Sequence, residues 1–147
     1  MSLSYHSFYE DDARAIWPEV EPLAIAIFGA DDFSERVNFH GGIFLVIARD
    51  EEGRVVGFKI GYRERPKRFV SWLGGVDATH RGRGIGDELM RRQHAHVAST
   101  GCPKIWTITS DAYPAMLRLN LRHGFRIIGS YTNSSGKTKL ILERRVD

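Results

Sequence analysis

Small and basic residues alternate in one short stretch just past the middle of the chain. Arg81 and Arg83 are interleaved with Gly82, Gly84 and Gly86, directly before a run of helical periodicity. The first amides of a helix have no acceptor within it and carry the positive end of its dipole, and glycine lets an anion approach the main chain closely. This stretch therefore predicts a pyrophosphate site. The alternative is a glycine-rich turn with solvated arginines.

Two neighbouring glycines, Gly74 and Gly75, lie near the end of a predicted strand over residues 69–76. Paired glycines weaken a strand and often mark a bulge or a close backbone approach. A bulge at this point would free a backbone N–H group from the strand pairing. The alternative is a packing gap beneath a helix.

The element that follows is the clearest helix in the sequence. Ile85, Leu89 and Met90 recur at helical spacing, which predicts a helix over residues 85–98. The next alternating segment predicts a strand over residues 104–109. A strand, a helix and a further strand in this order require a crossover connection.

The first half of the chain combines helix and apolar strands. Residues 2–8 predict a short strand. The region 11–28 has a helical pattern, but Pro18 and Pro22 would each end or kink a helix, which favours two short helices. Short connections then predict three adjacent antiparallel strands. These strands cover residues 43–48, 55–60 and 69–76.

The last third of the chain predicts a helix and a hairpin. Ser110 or Asp111 is expected to cap a helix that has Pro114 in its first turn and runs to Gly124. The predicted order of elements is then β-α-α-β-β-β-α-β-α-β-β, an α+β sheet with helices on it. The strands of the closing hairpin cover residues 125–131 and 139–146.

The composition fits one soluble domain over residues 1–147. Hydrophobic residues make up 42% of the chain and charged residues 27%, without the roughly 20-residue apolar run of a membrane span. The chain begins without the pattern of a secretory signal, so we expect a cytoplasmic protein with no membrane partner. The single cysteine excludes an internal disulfide, and the net charge of +3 suits a nucleotide cofactor or a nucleic acid.

The spacing Arg81-x-x-Gly84-x-Gly86 resembles the signature of the GNAT superfamily of acyl-CoA-dependent N-acyltransferases. The later segment 116–125 also falls at the family's spacing, and the resemblance covers residues 5–146. It implies an αβα sandwich with a mixed, mostly antiparallel sheet of about seven strands and about four helices. It also implies that an acetyl group passes from acetyl-CoA to a primary amine of a small molecule or protein by direct nucleophilic attack.

The same resemblance implies a set of cofactor contacts. The strand residues would pair by backbone with the pantetheine arm, and the amides at the start of the helix would hold the pyrophosphate. The implied cofactor-binding residues are Gly74, Gly75, Val76, Arg81, Gly82, Arg83, Gly84, Ile85, Gly86 and Asp87, with Asn120 as a further candidate.

Position 120 departs from the family's pattern. GNAT enzymes often have a tyrosine there, as the acid that protonates the leaving thiolate, whereas Asn120 has no useful proton to donate near neutral pH. A thiol with a pKa of about 8.5 is a tolerable leaving group without an acid. Asn120 either binds the cofactor or ties down backbone, and Tyr113 is a candidate substitute acid. Helical spacing predicts one stripe that contains Tyr113, Met116, Leu117, Asn120, Leu121 and Gly124.

An incoming ammonium must also lose a proton before it attacks. Candidate bases are Glu19 and Glu21 in the first helical region, and Asp77 or His80 beside the predicted cofactor strand. Each of them could instead be a solvated surface residue, and deprotonation through water needs no single base. The candidate catalytic residues are Asn120, Tyr113 and Glu21.

Two other functions share some of these residues. A CoA-binding domain without catalysis is compatible with Asn120. A nucleic-acid-binding module would use the arginines between residues 63 and 92, but no stripe with interleaved aromatics accompanies them, so no nucleic-acid partner is expected. His94 and His96 fall on different faces of a helix, which predicts no metal site. A homodimer is compatible with the sequence.

Overall fold

The computed structural model describes residues 2–147 and contains one sheet of seven strands, in the order β1-β2-β3-β4-β5-β7-β6. Strands β4 and β5 pair in parallel, and every other neighbouring pair is antiparallel. The predicted fold class, a mixed and mostly antiparallel sheet with helices on it, is confirmed. The strands are β1 (Ser4–Tyr9), β2 (Phe44–Arg49), β3 (Val55–Arg65), β4 (Arg68–Val76), β5 (Lys104–Thr109), β6 (Arg126–Thr132) and β7 (Thr138–Arg145).

Four helices cover the two faces of this sheet. They are α1 (Glu10–Phe28), α2 (Phe33–Phe39), α3 (Ile85–Ser99) and α4 (Pro114–Arg122). One core, which includes Trp17, Phe58 and Ile60, lies between the sheet and helices α1 and α2. The other, which includes Leu89 and Ile105, lies under α3. None of the helices among residues 2–147 has an apolar stretch long enough to cross a membrane.

The prediction of two short helices within residues 11–28 is wrong. Helix α1 is continuous, and the second helix of the predicted order is α2, further along the chain. Pro18 and Pro22 are both exposed and lie one turn apart, so both positions that lack an N–H group lie on the exposed side of the helix. Burial of the opposite face against the sheet outweighs these losses. That buried face consists of Ala13, Trp17, Val20 and Ala24.

Helix α4 also differs from its prediction. Its N-cap residue is Tyr113, without a side-chain cap, while Ser110 Oγ instead accepts a hydrogen bond from the amide of Ala112. Pro114 starts the helix and has no N–H to be capped, so neither Ser110 nor Asp111 is needed as a cap. The predicted apolar stripe is wrong at Tyr113 and Leu121, which are 46% and 45% exposed.

Candidate functional site

Strands β4 and β5 separate part of the way along their length. They pair from Phe69 to Ser71 on β4, and the last pair joins Ser71 to Thr107. Thr107 Oγ1 donates a hydrogen bond of 2.9 Å to the Ser71 carbonyl at this point. Beyond it a notch opens in the middle of the sheet and continues into a cavity of about 540 Å³.

Four parts of the chain form the wall of this cavity. The strands supply Ser71, Gly74, Gly75, Val76 and Thr107 on the two sides of the notch. The α4 region supplies Tyr113, Met116 and Leu119. Helices α1 and α2 and their connection supply Phe28, Asp31, Phe33 and Arg36. Arg81 and Gly86 extend the wall to the start of α3.

The bulge predicted at Gly74 and Gly75 lies elsewhere. The β3–β4 register shifts so that Trp72 is the extra residue of β4, immediately after the last β4–β5 pair. The two glycines are sites of close packing instead. A β-carbon on Gly75 would lie 2.4 Å from Ile27 Cδ1, and one on Gly74 would lie 3.3 Å from Lys59 Nζ.

The start of α3 has the geometry of an anion site. Gly84 is the N-cap residue, with a φ of 79°, a conformation that favours glycine. The first helical hydrogen bond runs from the Glu88 amide to the Gly84 carbonyl, so the amides of residues 85–87 have no acceptor within the helix. No atom lies within 4 Å of the space that a β-carbon on Gly82 or Gly84 would occupy. These open amides fit a pyrophosphate.

The side chains around the start of α3 have different surroundings. Arg81 Nε donates to the Val76 carbonyl at 3.1 Å and so joins the helix start to the end of β4. Ile85 is buried in the core, and Arg83 is exposed. The Asp87 carboxylate binds α4 rather than facing the cavity. Its Oδ1 lies 2.7 Å from His123 Nε2 and 3.0 Å from Arg122 Nη2, and these hydrogen bonds lower the pKa of Asp87.

The structure does not bring Asn120 to the cavity. Its side chain is 2% exposed and is not part of the wall, and its carbonyl accepts hydrogen bonds from the amides of His123 and Phe125. Tyr113 does reach the wall. Its ring packs edge-on against that of Phe28, another wall residue, with 6.0 Å between the ring centres.

None of the candidate bases predicted from the sequence lines the cavity. Glu21 Oε2 accepts hydrogen bonds from Ser34 Oγ at 2.5 Å and Trp17 Nε1 at 2.9 Å, and these bonds lower its pKa. Glu21 therefore holds α1 and α2 together. Asp77 and His80 bind each other at 2.9 Å, and Glu19 pairs with Arg49 at 3.2 Å.

Four ionisable residues of the wall were missed in the sequence, namely Asp31, Arg36, Lys59 and Lys139. Asp31 provides the carboxylate of the cavity wall, in a loop that carries no motif. Lys59 is 6% exposed in the middle of β3, and this burial lowers its pKa to about 8. A lysine inside the apolar run 55–60 was the available signal, because lysine is rarely buried without a reason.

The comparisons with known proteins agree with this geometry. The family model of the acetyltransferase (GNAT) family matches residues 4–125. An L-2,4-diaminobutyric acid acetyltransferase of Nocardia farcinica is 35% identical over 75 residues, which are 50% of this chain and 39% of that protein. An acetyltransferase of Pectobacterium atrosepticum is 27% identical over 113 residues, 75% of this chain and 78% of that protein.

The fold is shared with solved structures at low sequence identity. A GNAT acetyltransferase of Elizabethkingia anophelis with acetyl-CoA bound has a TM-score of 0.80 at 14% identity, and the match covers 97% of both chains. The chain matches only about 39% of the length of the Nocardia farcinica enzyme, so that enzyme's substrate does not transfer directly. With a family model that covers residues 4–125 and a shared fold, the chain belongs to the GNAT acetyltransferase family.

Proposed function

We propose that this chain transfers the acetyl group of acetyl-CoA to a primary amine of a small molecule or protein by direct attack. One observation carries the proposal. The cavity that opens at the notch between β4 and β5 extends to Arg81 and Gly86, next to the helix start whose amides have no acceptor within α3. An extended ligand with an anionic end and a thioester at the other end matches this shape and charge.

The residues of the chain have separable tasks in this proposal. The amides of residues 85–87 and Arg81 bind the pyrophosphate, and the exposed backbone of β4 binds the pantetheine arm. Bound acetyl-CoA supplies the activated acyl group. A free N–H of β4 at the notch would stabilise negative charge on the acyl oxygen. The Asp31 carboxylate attracts an ammonium to the α1–α2 side of the cavity.

Thermal unfolding with and without acetyl-CoA tests the binding part of the proposal. A ligand at about a hundred times its dissociation constant adds roughly 2.7 kcal/mol to the stability of the folded state. We expect a clear rise in melting temperature that Gly84→Glu abolishes. Gly101→Glu is a matched control, because both glycines have a φ of 79° and open space around the β-carbon position, but Gly101 lies beyond the other end of α3. No rise for the unmodified chain would contradict the proposal.

Release of free CoA with a panel of amines tests the transfer itself. The panel should include 2,4-diaminobutyrate, because the Nocardia farcinica relative is named for that substrate. Cofactor binding without CoA release for any amine would favour a CoA-binding domain without catalysis. Steeply salt-dependent binding to DNA without a response to acetyl-CoA would favour the nucleic-acid alternative.

A further inference from the structure

Lys59 lies at the floor of the notch. It pairs with Gly74 across β3 and β4, and its side chain runs over the position that a Gly74 side chain would fill. Its Nζ is 3.3 Å from the Gly74 β-carbon position, and Lys59 also lines the cavity. A glycine at position 74 therefore leaves room for the lysine to reach the strand that borders the notch.

The side chain projects from the α3 face of the sheet. Gly57, two residues earlier on β3, faces Ile85 and Leu89 of α3. Successive residues of a strand alternate between faces, so Lys59 lies on that same face. The α1 face holds the acceptor side of the cavity, with Phe33 and Arg36 in its wall. Lys59 is thus on the opposite side of the notch from the incoming amine.

The cavity wall that contains Lys59 also holds an unsatisfied polar group. Within residues 2–147, Lys59 has no carboxylate in ion-pair contact and its pKa is lowered by burial alone, while Ser71 Oγ, of another wall residue, is buried without a hydrogen-bond partner. The titratable group that faces Lys59 from α3 is His94, whose pKa burial lowers to about 3, so it is neutral. Buried polar groups without partners are costly unless a ligand or water meets them. The floor of the notch can therefore donate hydrogen bonds to an electron-rich atom of a ligand.

We propose that Lys59 is the acid that protonates the sulfur atom leaving the acyl donor. This inference rests on the proposed function. The amine nitrogen forms the new C–N bond, the thioester C–S bond breaks, and its electron pair stays on sulfur. Lys59 Nζ gives one proton to that sulfur, so free thiol leaves and Lys59 becomes a neutral amine. The proton that the acceptor nitrogen loses passes to solvent, and Lys59 regains one from solvent.

Asn120, Tyr113 and the arginines of the wall fit this task less well. Asn120 does not reach the cavity, and Tyr113, in its wall, is half exposed. Arginine does not give up its proton in proteins, which excludes Arg81 and Arg36. The lowered pKa of Lys59, about 8, is close to the value of about 8.5 for a free thiol. Proton transfer between groups with similar pKa values is efficient near neutral pH.

A titration of bound CoA tests the inference without any acceptor. The thiol of CoA bound to the unmodified chain is titrated by ultraviolet difference absorbance and compared with CoA bound to Lys59→Met. A nearby ammonium lowers the pKa of the thiol, so we expect a value roughly one unit lower with Lys59 present. Lys67→Met is the control, because it removes a lysine from the exposed β3–β4 turn. Equal thiol pKa values in all three proteins would overturn the inference.

Turnover adds a second test. With an accepted amine, Lys59→Met should lower kcat roughly a hundredfold and leave the KM for acetyl-CoA unchanged. Unchanged kcat, or mass spectrometry that finds Lys59 itself acetylated, would overturn the inference. A thiol shift without turnover for any amine would support the position of Lys59 and contradict the proposed function alone. Lack of CoA binding would contradict both. Lys59→Gln replaces the methionine variant if that fails to fold.

Discussion

A β-carbon added to Gly75 would lie 2.4 Å from Cδ1 of Ile27, a distance that side chains do not adopt. Gly75 is on the central strand β4, and Ile27 is near the end of α1. Because position 75 has no side chain, α1 can pack directly against the strand at the notch. The contact lies at the cavity, because both residues are part of its wall.

Because of this contact, a methyl group at position 75 should create a packing defect that a second substitution, at position 27, relieves. Gly75→Ala should destabilise the fold by about 1–3 kcal/mol, because the new methyl overlaps Ile27. Ile27→Val removes Cδ1, and the remaining atoms of the side chain lie at 3.7 Å, so the double variant should recover most of the loss. Urea unfolding measures the effect. Gly129→Ala is the control, since its β-carbon would have an ordinary contact of 3.8 Å. Equal loss in single and double variants would contradict the contact.

Gln93 offers a stabilising change. Its side chain is completely buried under α3, and neither its Oε1 nor its Nε2 has a hydrogen-bond partner among the described residues. An unsatisfied buried polar group costs about 1–3 kcal/mol. Gln93→Met keeps the length of the side chain and removes the amide, so we expect a higher midpoint of urea unfolding. A lower midpoint would show that the amide has a partner, such as an enclosed water.

His94 makes the stability of the fold depend on pH. Arg144 contacts its Nδ1 and can only donate a hydrogen bond, which requires an unprotonated Nδ1 and a neutral ring. Burial and Arg144 lower the pKa of His94 to about 3, whereas an unfolded histidine titrates near 6.5. The unfolded chain therefore binds a proton that the folded chain does not. Stability should decrease as the pH falls from about 6.5 towards 3.

A variant separates this contribution from those of the carboxylates. His94→Gln should flatten the pH dependence by up to about 1.4 kcal/mol per pH unit within that window. Urea unfolding at a series of pH values measures it. His6→Gln, at an exposed histidine on β1, should leave the dependence as it is. A His94→Gln variant with the same slope as the unmodified chain would mean that His94 is protonated in the folded state.

The sequence predicted the strands of the sheet and the start of α3 because both leave local signals. Glycine spacing and helical periodicity identify the start of α3 without any knowledge of the neighbouring elements. The continuity of α1 was not predictable in this way, because it depends on Pro18 and Pro22 both facing solvent once the helix packs. Two of the three catalytic candidates, Asn120 and Glu21, do not line the cavity for a similar reason. Asn120 and Glu21 were chosen by position along the chain, whereas access to the cavity depends on how α4 and α1 are rotated against the sheet.

Lys59 and Arg36 show what only the assembled fold reveals. They come from β3 and α2, and no sequence motif links them. The cavity places the lysine on one face of the notch and the arginine on the other. Their proposed roles follow from how deeply each side chain is buried and from the face of the sheet on which it lies. The order of residues in the sequence does not encode either property.

In the proposed acetyl transfer, Arg36 should determine which amines the chain accepts. Its guanidinium lies 4.3 Å from the centre of the Trp72 ring, and both residues line the α1–α2 side of the cavity. Stacking on tryptophan holds the planar group in place and leaves its N–H donors at the edge for a ligand. Asp31 lies in the same wall and carries the opposite charge. An acceptor with both an ammonium and a carboxylate matches this pair.

Arg36→Met tests this specificity with matched acceptors. A hydrogen bond to a charged group contributes about 1.5–3 kcal/mol, so KM should rise roughly tenfold or more for an amine that carries a carboxylate. The KM of the corresponding amine without the carboxylate should stay within about twofold, because that amine makes no contact with the guanidinium. Arg65→Met, in the exposed end of β3, controls for the loss of one positive charge. An equal rise in KM for both acceptors would mean that Arg36 shapes the cavity wall and does not bind the carboxylate.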